Sequence, residues 1–477
     1  MRRPLPAGFA ERLEGIAGSA FVITDPDRLL PYGVDETPNL RPALPDLVVR
    51  PGSADEVAAV VRACAEANVF VTPRGAGTGK SGGCVPVFGG VVLALDRLTR
   101  ILDVNQADGT CTVEPGVILE TLQQAVAERG MFYPPDPASL ASCTLGGNVA
   151  ENAGGPRALK YGVTSSYVLG LDLVLPTGER LHTGKRTTKG VAGYDLTSLV
   201  VGSEGTLAVV TGITLKLLPS PRFVQTALAV FPSSEAAVQG VTAIFGAGVL
   251  PRTLEYLDRA SIDAVRALSP PYRFPAGAGA ALLVETDGES EAGTLEALSR
   301  ALEACADAGA TDTLLAGDSK KQREIWATRR MLSEATRRIK GRKVSEDIVV
   351  PRSKIAEMVA RTSALGDKHG LVTCSFGHAG DGNLHTLVLF DDDGDLPRVD
   401  ALLDELFRVV LELGGTITGE HGIGISKKPW LPLELSDDVM ALSLRLKQAF
   451  DPAGILNPGK MFPEKLALRA MKNAQSG

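Results

Sequence analysis

Three of the five histidines, His378, His385 and His421, fall between residues 378 and 421. His378 and His385 bracket Gly380-Asp381-Gly382-Asn383, a strong turn signal flanked by the apolar, strand-like runs 371–376 and 384–390. If those four residues form the loop, Ala379 opposes Leu384 and His378 opposes His385. Opposed residues share one face of a hairpin, with Cβ atoms about 4.5–5.5 Å apart. Two imidazoles on one face are the start of a divalent-metal site. Glu420 offers a third, oxygen ligand, and three protein ligands leave positions open for substrate. Two satisfied structural histidines would explain the hairpin alone; the Glu420-His421 pair favours the metal. In an extended segment those two side chains point to opposite sides, so Glu420 can bind metal while His421 faces a separate part of the cavity. An imidazole titrates near working pH and suits a general base there.

A second chemical signal is the glycine-rich loop 74–83. Its glycines permit positive φ and close backbone approach, so consecutive N–H groups can converge on phosphate oxygens. Thr78 and Ser81 add hydroxyl donors, and Arg74 adds charge. Gly79-Lys80-Ser81 resembles the end of a nucleotide-binding P-loop, but the glycine required five residues before Gly79 is Arg74. Residues 77–82 also match GxGxxG, yet they run into Cys84-Val85-Pro86 instead of opening a long helix, which argues against a nicotinamide Rossmann site. A tight turn without ligand is the plain alternative. The loop's chemistry suits a dinucleotide pyrophosphate held outside both schemes.

Elements around these residues read as α+β. Residues 46–50 form a strand, Pro51-Gly52 a turn, and 53–56 a capping box opening a helix over 54–68 with apolar positions Val57, Val60, Val61 and Cys64. Short strands are read at 70–73, 91–95, 101–104, 110–113, 168–175 and 206–217, a helix at 119–129, and a loop-rich stretch from 133 to 161. Pro219-Ser220-Pro221 marks a boundary. Beyond it, helices are read at 234–245, 291–308, 320–338, 352–369 and 399–413, with strands at 282–285, 371–376 and 384–390. The chain of 477 residues carries 49 Lys+Arg against 56 Asp+Glu, a net charge of −7, and no basic blocks, which excludes a dedicated nucleic-acid binder. Six scattered cysteines without a CxxC pair read as reduced thiols of a cytoplasmic protein. Arg2-Arg3 is not followed by an apolar signal core. No run of 18 apolar residues predicts a transmembrane segment, which leaves attachment to the inner face of a membrane as a peripheral option.

The pyrophosphate loop, Pro73-Arg74-Gly75-Ala76-Gly77-Thr78 followed by Ser81-Gly82-Gly83, resembles that of the FAD-linked oxidases of the vanillyl-alcohol-oxidase type. Further blocks agree in order: Pro134 to Pro137, Thr144 to Asn148, Asn152 to Gly155, Gly193 to Leu196, Gly202 to Leu207, Gly377 to His385, Gly419 to Gly424 and Asn457 to Lys460. They span Tyr32 to Phe462. Within the family they are most similar to flavoenzymes of small 2-hydroxy acids: glycolate oxidase flavin subunits, D-lactate dehydrogenases and D-2-hydroxyglutarate dehydrogenases. The resemblance implies a bipartite PCMH-type FAD-binding domain, a ferredoxin-like α+β substrate (cap) domain, and a C-terminal helical segment returning to the FAD domain. The corresponding ranges are an N-terminal extension 1–40, the FAD domain 41–218, the substrate domain with the metal hairpin 219–415, and the completing segment 416–477.

Residues matching the family's flavin contacts are Arg74, Gly75, Ala76, Gly77, Thr78, Ser81, Gly82, Pro135, Asp136, Thr144, Gly147, Asn148, Asn152, Gly154, Gly205 and Asn457. Covalent relatives attach the flavin through His or Cys; residues 80–83 hold no His, so non-covalent FAD is expected, with Cys84 and Cys143 nearby. The expected metal ligands are His378, His385 and Glu420, for Zn or Mn, with Fe a further choice. The expected catalytic residues are His421, as base for the substrate hydroxyl, and Arg329, from the Trp326-Ala327-Thr328-Arg329 block that resembles the family's Trp-x-x-Arg, as clamp for the substrate carboxylate. Dicarboxylate-using relatives tend to carry Lys two residues before Asp347, where this chain has Ser345; Lys343 keeps that question open. The expected reaction oxidises glycolate or D-lactate to the 2-oxo acid, with the C2 hydride passing to flavin N5. Electrons would leave to an iron–sulfur subunit or a quinone acceptor, in a homodimer or heteromer. The alternatives are a D-2-hydroxyglutarate dehydrogenase, a flavin-binding relay or assembly subunit with an idle site, and a zinc hydrolase using the same histidines.

Overall fold

The computed structural model describes residues 2–463. The chain divides into two compact units. One comprises Met1–Gly154, Val163–Ser220 and Glu420–Gly477; the other comprises Gly155–Gly162 and Pro221–Gly419.

In the first unit, the Ser53 hydroxyl accepts the Glu56 N–H and caps helix Ala54–Glu66, while Glu56 returns to the Gly52 N–H. The helix buries Val57, Val60, Val61 and Cys64 against Leu47, Val49, Val71, Val91 and Leu93 of a four-stranded sheet. That sheet runs Val22–Ile23, Leu47–Val49, Val91–Ala94, Val71–Arg74 in spatial order, with the last three strands parallel. The first 40 residues, read above as an extension, are part of this unit: Val22–Ile23 pairs with Leu47–Val49, and Phe9 and Leu13 are buried in the same core. The returning C-terminal chain extends the other edge. Val71 N–H donates to Ile455, and Asn457 N–H donates to Val71. A second, antiparallel sheet has five strands in the order Ile101–Asn105, Thr110–Val113, Val209–Lys216, Val168–Val174, Arg180–Gly184.

The loop-rich stretch 133–161 also holds a helix. Helix Leu145–Glu151 starts at Thr144, whose hydroxyl accepts the Gly147 N–H. Gly146 and Gly147 lower its intrinsic helix propensity, which hides it from periodicity. Residues 155–162 depart further from the reading above, because they belong with the second unit. There the Lys160 ammonium pairs with Asp287, and the Tyr161 hydroxyl donates to Asp287 Oδ2 at 2.7 Å.

The second unit is built on seven strands: β1 Phe223–Phe231, β2 Thr253–Asp258, β3 Ala280–Gly288, β4 Asp312–Leu315, β5 Arg342–Val349, β6 Val372–His378 and β7 Asn383–Phe390. All pairs are antiparallel, in the order β4-β1-β3-β2-β6-β7-β5. The first four strands, with helices Ser234–Gly246 after β1 and Glu291–Asp307 after β3, form a ferredoxin-like β-α-β-β-α-β half. Strands β5 to β7, with helices Ile355–His369 and Leu396–Glu412, repeat the pattern as far as a bridge between Val349 and Thr416. The halves join along β2 and β6. Apolar side chains from both halves, among them Leu257, Leu283, Phe376 and Leu387, meet in one core with Ile325, Leu332 and Ala335 from the two helices that lie between β4 and β5. Those helices replace the single helix read over 320–338: Ser319–Arg330 and Leu332–Ile339 meet at Met331. No helix among the described residues is long and apolar enough to cross a membrane.

Candidate active site

Strands β6 and β7 form the hairpin expected from the turn signal, with a different register. His378 pairs with Asn383, and His385 pairs with Phe376. The loop is residues 379–382, one position earlier than the sequence suggested. The His378 carbonyl accepts both the Asp381 and Gly382 N–H groups, and the Asp381 carboxylate accepts the Asn383 N–H at 3.2 Å. Gly382 has φ +87°, and a Cβ there would lie 1.9 Å from the Val350 carbonyl oxygen, so this turn requires glycine. Relative to the expected register, the histidines are offset by two positions. An even offset keeps both side chains on one face, because side-chain direction alternates with period two. The imidazoles meet edge to face, with centroids 5.3 Å apart.

Two carboxylates given no role in the sequence reading flank this pair. Glu255 of β2 is the residue directly opposite His378, and Asp347 of β5 is the one directly opposite His385. Both are fully buried. Glu255 Oε1 is hydrogen-bonded to His378 Nδ1, and Glu255 Oε2 accepts from Arg329 Nε at 2.9 Å and lies 2.7 Å from Nη2 in an ion pair. Burial pushes the Glu255 carboxyl up, but the charges of His378 and Arg329 outweigh it and hold the group below its ordinary range. The Arg329 guanidinium also lies 4.6 Å from the centroid of the Phe376 ring. Its Nε–Nη2 edge is therefore committed to Glu255. The available signal was a lone acid in the apolar run Leu254-Glu255-Tyr256-Leu257. Asn383 completes this face: its Oδ1 is buried without a hydrogen-bond partner, while its Nδ2 donates to the Ile348 carbonyl at 3.2 Å.

Asp347 anchors the next ligand by chain continuity. Its Oδ2 accepts the Gly419 N–H at 2.8 Å, and its carbonyl accepts the same N–H at 2.9 Å. Glu420 follows directly. One donor atom each of His378, His385 and Glu420 lie within 4.8 Å of one another, a set of two nitrogens and one oxygen able to hold a divalent ion. The Glu420-His421 segment is not extended as expected. It bends ahead of Gly422, at φ +79°, and His421 Nε2 lies 3.9 Å from Glu420 Oε1.

The flavin-contact candidates all fall in the first unit, on the loop 74–83, at Pro135 and Asp136, on helix Leu145–Glu151 and its flanks, at Gly205, and on the returning segment at Asn457. Orphaned polar atoms fit a bound polar cofactor: Ser81 Oγ and Asn457 Oδ1 are buried without a hydrogen-bond partner. Asn457 is fixed by its other end, since Nδ2 donates to the Gly83 and Glu204 carbonyls at 2.9 and 2.7 Å. Gly75 has no room for a side chain, because a Cβ would lie 2.3 Å from Thr144 Oγ1. Asn152 ends the helix in the left-handed region at φ 54°, and its Oδ1 accepts the Ser165 N–H. Arg74 differs from its expected use. Its guanidinium lies beneath the loop and donates to the Val34 and Pro31 carbonyls and to Cys84 Sγ at 3.1 Å. It therefore ties residues 31–34 to the loop. Burial pushes the Cys84 thiol up to about 11 and also raises Cys143, so neither is a poised nucleophile.

Two family models match this chain: "FAD binding domain" over residues 45–184 and "FAD linked oxidases, C-terminal domain" over residues 220–461. Glycolate oxidase subunit GlcD of Bacillus subtilis is 42% identical over 445 residues, covering 93% of this chain and 94% of that protein. A D-lactate dehydrogenase of Anaerostipes hadrus is 38% identical over 427 residues, covering 88% and 90%. Among solved structures, p-cresol methylhydroxylase with substrate bound superposes with a TM-score of 0.81 at 17% identity, covering 98% of this chain and 99% of that one; at this identity the likeness is one of fold.

Proposed function

The chain belongs to the FAD-linked oxidase family, and from that premise we propose that it oxidises a small 2-hydroxy acid, glycolate or D-lactate, to the 2-oxo acid. The observation that carries this reading is the His378, His385 and Glu420 donor set within 4.8 Å, with Arg329 linked to His378 through Glu255. When bound, FAD supplies a hydride acceptor at N5, and a divalent ion supplies charge that orients the 2-hydroxyl and lowers its pKa. His421 takes the hydroxyl proton. Arg329 holds the substrate carboxylate, with its plane set by Glu255 and Phe376. Asp347 keeps Gly419, and through it Glu420, in place.

Three further features fit. The Cys84 and Cys143 thiols are raised by burial, which supports non-covalent FAD. Lys343 Nζ donates to the Ser333 carbonyl at 2.9 Å, Ser333 Oγ at 3.1 Å and Thr336 Oγ1 at 3.3 Å, so it serves the neighbouring helix. This favours a monocarboxylate over 2-hydroxyglutarate. The six cysteines are free thiols scattered through the fold, so we assign onward electron transfer to a separate acceptor, an iron–sulfur subunit or a quinone. Reduction of an artificial dye acceptor tests the substrate class. Turnover with glycolate or D-lactate well above that with D-2-hydroxyglutarate supports the reading, and the reverse order overturns the choice of acid.

A further inference from the structure

Glu255 stands at the seam between the two halves of the seven-stranded sheet, and its two oxygens serve two different groups. Oε1 meets His378 Nδ1; Oε2 meets Arg329 Nε and Nη2. Its side chain is fully buried, so water does not compete for either oxygen. A carboxylate whose Oε2 accepts the Arg329 Nε hydrogen and forms an ion pair with Nη2 is an anion, and an anion in contact with Nδ1 requires a hydrogen on that nitrogen. In the neutral imidazole the lone pair is then on Nε2, which becomes the ring atom able to ligate a metal. We propose that Glu255 is a positioning residue: it fixes the Nδ1–H tautomer of His378 so that Nε2 is the ligand atom, and with its second oxygen it sets the plane of Arg329. One buried carboxylate thereby aligns the metal ligand and the carboxylate clamp.

This inference rests on the metal reading above and adds to it a residue that touches neither metal nor substrate. Carboxylates behind metal-binding histidines act through ligand basicity and orientation, and their loss weakens metal binding by about 10- to 100-fold. The Glu255→Gln variant keeps the length and volume of the side chain. Its amide has one acceptor oxygen for two sets of donors, so His378 or Arg329 must lose its partner.

The test uses holoprotein stripped with a chelator and titrated with Mn²⁺ or Zn²⁺ alone, together with ¹⁵N spectra of histidine-labelled protein; five histidines make assignment practical. The wild type should bind one ion per chain and show metal-free His378 as the Nδ1–H tautomer. Glu255→Gln should bind metal about 10- to 100-fold more weakly, lose the tautomer preference and raise KM for the acid. Glu255→Asp keeps the charge but is shorter. It should restore the tautomer more than the affinity, and it serves if the glutamine variant does not fold. Wild-type metal affinity and an unchanged His378 tautomer in either folded variant would overturn this role while leaving the metal site standing. A wild type that binds no metal would overturn both.

Discussion

His378 and His385 meet edge to face with ring centroids 5.3 Å apart, although across the hairpin His378 pairs with Asn383 and His385 pairs with Phe376. The diagonal placement lets both rings lie over one face while Glu255 and Asp347 flank them from the adjacent strands. Replacing both histidines with alanine should abolish stoichiometric metal by elemental analysis while leaving FAD bound, because the flavin-contact residues lie on separate segments. Unchanged metal content in the double variant would remove the hairpin from the metal site.

His421 is the proposed base for the substrate hydroxyl. Its Nε2 lies 3.9 Å from the Glu420 carboxylate, and its side chain is 14% exposed. The His421→Ala variant should remain yellow and folded, with flavin reduction slowed by about 10²- to 10⁴-fold, the usual worth of a general base. Single-turnover reduction at the wild-type rate would assign the proton to another group.

Arg329 carries a structural burden besides its proposed substrate role. Removing it leaves the buried Glu255 charge with imidazoles alone, His378 in contact and His385 nearby. Breaking such a pair typically costs about 3–5 kcal/mol. Arg329→Met should therefore lower the unfolding free energy by roughly that amount, and adding Glu255→Gln should recover part of the loss. Denaturation of the three variants checks this; an Arg329→Met protein as stable as wild type would mean that the pair does not hold the site.

Lys460 gives a pH signature in the first unit. It is buried, donates to the Val85 carbonyl at 2.6 Å, and burial lowers its ammonium to about 8 despite Cys84 and Glu204 nearby. Between about pH 8 and the ordinary lysine range, the unfolded chain binds a proton that the folded chain does not. Stability from this group therefore rises with pH through that window, by roughly 3 kcal/mol for a shift of this size. Lys460→Met should flatten that rise relative to wild type when melting midpoints are compared from pH 7.5 to 10. Parallel curves for the two proteins would show that Lys460 titrates normally.

Much of this was legible in the sequence because local chemistry reports locally. Ser53 announced its helix, and Gly380 to Asn383 announced a turn. The partners of the histidines were not legible in the same way. Glu255 reaches His378 only through the pairing of β2 with β6, strands separated by more than a hundred residues, and no periodicity encodes that register. Arg74 misled for a related reason: a charge in a phosphate-binding loop suggests an outward role, yet Gly77 leaves space for the guanidinium to turn under the backbone toward Pro31 and Val34. The helix over 320–338 was read whole because its apolar spacing continues through Met331, while the observed break sets Arg329 at the end of its own helix.

The most direct test is anaerobic mixing of the protein, loaded with FAD and a divalent ion, with glycolate, D-lactate and L-lactate in a stopped-flow spectrophotometer. Glycolate or D-lactate should bleach the flavin band, and the bleaching should be lost on chelation and restored by the divalent ion. A flavin band that no 2-hydroxy acid bleaches, in protein with its full metal content, would contradict the proposed oxidation.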